Sequence, residues 1–110
     1  MSVIDIRIHC PDVETANRIA AALIEARLAA AANRHPDIVS SYVWKGDLVT
    51  AREVPLILRS QRAHFDAIAR EVSRLHPYDT PSITAVALDD VSPRYAAWVA
   101  DMTAKPRASV

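Results

Sequence analysis

The chain has 110 residues and carries thirteen Lys plus Arg against thirteen Asp plus Glu, a formal net charge of zero. That balance argues against a general binder of nucleic acid or other polyanions, which needs a basic excess to neutralise phosphates. The length suits a single domain over 1–110, since two halves would each be too small to bury a good core.

A single glycine, Gly46, excludes the glycine-rich phosphate loops of nucleotide-binding proteins. A single cysteine, Cys10, excludes an intrachain disulfide and a Cys-rich zinc site. No apolar run approaches the roughly 20 residues that span a bilayer. The first residues lack the basic and apolar regions of a secretory signal, so the expected location is the cytoplasm. About a fifth of the residues are alanine, which adds little core volume and favours burial against further copies of the chain.

In chain order, Ile4, Ile6 and Ile8 alternate with polar residues and predict a strand with a core-facing isoleucine stripe. Pro11 ends it and Asp12 is a good N-cap. Ile19, Leu23, Ala26 and Ala30 then recur at helical spacing, predicting a helix from Val13 to about Ala30. A break follows over 33–37. Ile38 to Trp44 reads as a second strand, Lys45-Gly46-Asp47 as a tight turn, and Leu48 to about Arg59 as a third strand, together a long hairpin. Pro55 inside that third strand requires an edge, a bulge or an outward-pointing position.

Ser60 is the expected cap of a second helix with Phe65, Ile68, Ala69 and Val72 inward, ending near Leu75. A loop pinned by Pro77 and Pro81 leads to a fourth strand, Ile83 to Leu88. Ser92-Pro93 predicts the start of a last helix bearing Tyr95, Trp98, Val99 and Met102, with a frayed tail over about 104–110. The order β-α-β-β-α-β plus a helix is the ferredoxin-like arrangement, an α+β fold with an antiparallel sheet and two helices on one face. The other face would be bare in a monomer, and another copy is the simplest cover.

Leu28-Ala29-Ala30-Ala31-Ala32-Asn33, Tyr42-x-Trp44-x-Gly46, Glu53-Val54, His76-Pro77-Tyr78-x-x-Pro81 and Tyr95-x-x-Trp98 occur in that order. The series resembles the CutA family, named for divalent-cation tolerance, over about Ile4 to Met102. The resemblance implies a ferredoxin-like subunit in a homotrimer bridged by the long hairpin. It also implies a role in tolerance of copper and other divalent metals, a likeness to trimeric PII signalling proteins, and no established catalytic reaction. Three positions depart from the family pattern: Ala31 and Ile8, where cysteines occur in other members, and Leu75, where some have a histidine before the His-Pro-Tyr motif.

The metal-ligating candidates are His76, Cys10 and His9, with copper or another divalent cation as the ligand. No pair of them has the spacing of a preformed site, and His9 and Cys10 should point to opposite faces of their strand. The competing readings are Cys10 as a small buried apolar residue and His76 as a loop histidine bonded to backbone. His35 and His64 read as solvated.

Tyr42, Trp44, Tyr78 and Trp98 are candidates for a ligand pocket or subunit interface, with Lys45, Glu53 and Asp79 as polar partners. Alternatively, Trp44 and Tyr78 only pack an interface and Trp98 fills the core. His76 and Asp79 are spaced for acid–base work, but Thr80 and Ser82 have no nucleophile setting. The function expected is divalent-cation tolerance by a non-enzymatic homotrimer without nucleic-acid or membrane partners. The alternatives are a PII-like sensor of a small metabolite at inter-subunit clefts and a structural adaptor.

Overall fold

In the computed structural model, which describes residues 2–106, the isoleucine stripe lies on β1 (Val3–Cys10), with Ile4, Ile6, Ile8 and Cys10 all buried. β1 is the middle of an antiparallel sheet. It pairs along its whole length with β4 (Asp47–Gln61) and on its other side with β5 (Ile83–Ala87). Val54, Leu56 and Leu58 of β4, opposite Cys10, Ile8 and Ile6, lie on the same face as the isoleucines. Ala16, Ile19 and Leu23 of α1 (Val13–Glu25) and Ile68 and Val72 of α2 (Phe65–Leu75) close over that face to form the core. Full burial of each such aliphatic side chain stabilises the fold by roughly 1.5–3 kcal/mol.

α1 begins where expected: the Asp12 carboxylate accepts the Thr15 N–H at 2.8 Å. It stops at Glu25, not near Ala30. Arg27 turns left-handed at φ 60, while the Leu28 N–H reaches the Leu23 carbonyl and the Arg27 N–H the Ile24 carbonyl. This pair of bonds is the Schellman termination, formed without its usual glycine. The freed residues Ala31–Arg34 become β2, a short strand absent from the sequence expectation, paired to Leu56–Arg59 of β4. Ala30 is therefore no part of the helix; its N–H bonds the Arg59 carbonyl.

β3 (Ile38–Trp44) and the first half of β4 form the hairpin, with Trp44 opposite Asp47 across a two-residue turn. Lys45 (φ 51) and Gly46 (φ 85) give it the type I′ geometry that matches strand twist. The sheet order is β2-β4-β1-β5, with β3 continuing beyond β2 along β4. Pro55 is thus on an interior strand, opposite His9. Its carbonyl accepts the His35 N–H, so its missing donor faces the gap where β2 has ended and β3 not yet begun. The ladder to β1 loses nothing.

Two expected helix starts differ. Ser60 caps no helix; it is buried in β4 and its hydroxyl donates to the Leu28 carbonyl. α2 instead follows a 3-10 turn at Arg62–His64 and has no side-chain cap. α3 (Pro93–Met102) has proline in its first turn, but Ser92 caps through its carbonyl to the Ala96 N–H, not through its side chain.

The face opposite α1 and α2 is only partly bare. α3 lies against its β4 end, where Gln61 donates to Thr103 at 3.0 Å and Arg59 reaches the Tyr95 hydroxyl at 3.3 Å. Beside them Arg59 makes a two-pronged bond to Asp5 on β1 at 2.7 and 3.0 Å. Val99 is the one fully buried α3 side chain described, whereas Trp98 is 40% exposed and stacks on Tyr95 rather than filling the core. The tail from 107 lies outside the described residues.

Candidate functional site

The free part of that second face carries the site. Strand alternation and the register place His9 of β1, Glu53 of β4, and Tyr42 and Trp44 of β3 on one side of the sheet. The loop after α2 folds over them and adds Tyr78, Asp79, Thr80 and Ser82. With Lys45 at the hairpin tip these residues line a cavity of about 510 Å³, within the range of small-molecule sites.

His76 anchors the loop. Its Nδ1 accepts the Tyr78 backbone N–H at 3.1 Å, which leaves Nε2 as the protonated nitrogen, donating to the His9 carbonyl at 2.8 Å. The ring is buried and packs at 4.7 Å from the Tyr78 ring. Both nitrogens are thus spent on backbone, and neither is left to pair with Asp79 or to bind a metal. The Tyr78 phenol is raised above its ordinary pKa by burial first and then by the Glu53 carboxylate, to which it is hydrogen-bonded. Glu53 is 5% exposed, and the His9 Nδ1 stands 3.4 Å from its carboxylate.

Cys10 lies on the helix side of the sheet, fully buried. Burial, then Asp12 and Glu53, push its thiol up to about 11. It is protonated at neutral pH and faces away from His9, so His76, Cys10 and His9 do not converge as a ligand set. No group of three or more His, Cys, Asp or Glu side chains placed to hold a metal ion occurs among the described residues. The donor set of this single chain does not fit a standing copper centre.

Of the pocket candidates, Tyr42, Trp44, Lys45, Glu53, Tyr78 and Asp79 line this cavity; Trp98 does not, being on α3 beside Tyr95. His9, considered only as a metal ligand, belongs to the cavity wall. Thr80 and Ser82 join it unforeseen. Alternation gave His9 a face, but only the β1–β4 register shows that Glu53 shares it. Nothing in Thr80-Pro81-Ser82 distinguishes a wall residue from an ordinary loop residue.

Together these features define a small α+β protein with an antiparallel sheet and an open cavity walled by aromatic and acidic side chains. The chain belongs to the CutA1 divalent ion tolerance protein family, which matches residues 4–102. The divalent-cation tolerance protein CutA of Thermus thermophilus is 35% identical over 96 residues, 87% of this chain and 93% of that protein. The CutA homologue of Danio rerio is 33% identical over 94 residues, 86% of this chain but 63% of its own length. The chain spans about half to two-thirds of the vertebrate relatives it matches. Among solved structures, the CutA of Archaeoglobus fulgidus, described as periplasmic, superposes with a TM-score of 0.89 at 31% identity, covering 92% of this chain and 98% of that one. No helix among the described residues is long and apolar enough to cross a membrane.

Proposed function

We propose that this protein serves divalent-cation tolerance as a ligand-sensing subunit, a ferredoxin-like chain assembled into a homotrimer, and not as an enzyme or a standing copper carrier. The observation that carries this reading is the cavity. It gathers Tyr42, Trp44, Tyr78, Glu53 and Asp79 from three separate segments onto one wall, while the cysteine and the buried histidine are engaged elsewhere. The strand order supports the ferredoxin-like part. The hairpin supports assembly: it exposes Val39, Val43 and Leu48 on one face and Ile38, Tyr42 and Trp44 on the other, more apolar surface than a solitary hairpin would carry.

In this reading a divalent cation meets the chain only weakly, through the His9 imidazole beside Glu53. Native mass spectrometry with copper(II) and zinc(II) tests it. The expected result is a trimer with weak metal adducts that fade in His9→Ala and persist in Cys10→Ala. Tight, stoichiometric copper lost in Cys10→Ala would replace this reading with a dedicated metal centre, and a monomer would remove its architectural half.

A further inference from the structure

We propose that the cavity is a site for a small organic ammonium ion of the quaternary kind. The proposal deepens the sensing reading above and rests on it. Three aromatic side chains, Tyr42, Trp44 and Tyr78, line the cavity with two carboxylates, Glu53 and Asp79. Electron-rich ring faces attract desolvated organic cations, and several rings around one position make the site selective for them. Glu53 strengthens the case. It is a carboxylate only 5% exposed, and its partners among the described residues are the Tyr78 hydroxyl and, at 3.4 Å, the His9 imidazole. Neither carries a permanent positive charge. A buried anion held by such donors gains most from a counter-ion that also leaves water.

Among the described residues, Lys45 is the lysine or arginine that lines the cavity. The Lys45 Nζ stands 6.0 Å from the centroid of the Trp44 ring, the outer limit of a cation–π contact. An exposed lysine at the hairpin tip is free to swing away, so it serves as a stand-in that a ligand ammonium displaces. This gives the proposal a sign. Were the ligand an anion, Lys45 would be its main attraction; for a cationic ligand Lys45 is a competitor.

The test uses choline as the probe and 3,3-dimethylbutan-1-ol, its neutral isostere, as the control, followed by titration calorimetry and native mass spectrometry on the full chain. Choline should bind and the neutral isostere should bind at least about tenfold more weakly. Lys45→Ala should tighten choline binding several-fold, and Glu53→Gln should weaken it by about tenfold. Lys45→Ala changes a side chain at the cavity mouth that is exposed in the single chain, so it remains informative if Glu53→Gln folds poorly. Equal binding of the isostere, weaker binding by Lys45→Ala, or an intact assembly that takes up no choline would each overturn the proposal. Mass spectrometry reads assembly and adduct separately, so a failed ligand is told apart from a failed trimer.

Discussion

Arg27 holds a backbone conformation that suits glycine, at φ 60, because the end of α1 needs a left-handed residue to turn into β2. Its side chain compensates by donating to the Asp101 carbonyl at 2.9 Å, tying α1 to α3, although its Nε is buried without a partner. Arg27→Ala gives up the bond and keeps the strained backbone; Arg27→Gly gives up the same bond and relieves it. Denaturant unfolding should therefore find the glycine variant more stable than the alanine one by about 1 kcal/mol. Equal stabilities would mean the turn is not what ends the helix.

Cys10 makes a second residue-level prediction. Its folded thiol titrates at about 11 against an ordinary 9.0, so the native state holds this proton more tightly than the unfolded chain does. Its contribution to stability is complete below about pH 9 and is lost as pH rises toward about 11. Unfolding measured across that window should show an alkaline decline that is shallower in Cys10→Ala, the remainder including the raised Tyr78 phenol. The native thiol should also resist a disulfide reagent at neutral pH, being buried and protonated.

At the scale of elements, the hairpin turn depends on Gly46 for conformation alone. A Cβ there would meet nothing within 4 Å, yet φ is +85. Gly46→Ala should thus cost about 1 kcal/mol through the backbone, read as a lowered unfolding midpoint with the cavity residues unmoved. The turn was legible because glycine occurs once and two apolar β-branched runs flank it. So were β1, α1's start, and the inner faces of both core helices, each marked by periodic apolar residues. What sequence did not show were features decided by partners far along the chain. α1 ends early because Ala31–Arg34 pairs with β4, against the helix preference of the alanines at 29–32. Ser60 resembles a cap but faces Leu28, 32 residues away. The cavity's aromatics stood in visible motifs; its shape depends on a register that no local pattern encodes.

For the whole molecule, the dominant feature is how far the hairpin stands out. The longest dimension is 45 Å and the radius of gyration 14.4 Å, above the value of about 13–14 Å for a rounded domain of this length. A two-stranded ribbon is at best marginally stable alone, and this one leaves Val43 68% and Leu48 76% exposed. The proposed packing against other copies would account for both. Trp44, near the tip, should be an anchor of that packing: Trp44→Ala should weaken self-association by about 2 kcal/mol, roughly thirtyfold. Sedimentation across a dilution series reads this, and a variant that stays assembled to the same dilution as the parent would count against the hairpin as the bridge.

β1 occupies the centre of the sheet, yet both of its neighbours come late in the chain. Pairing Val3 with Gln61 and Cys10 with Val54 means that its first partner is synthesised some 45–60 residues afterwards, roughly 2–12 s at ribosomal rates of about 5–20 residues per second. During that interval the Ile4, Ile6 and Ile8 stripe has only α1 to shelter it, and both strand edges are open to other nascent chains. The same topology delays the sheet, since β1 has no strand partner until β4 is present. A chain built this way keeps one edge of β1 open until β4 is made and the other until β5 follows, so its central strand is guarded last.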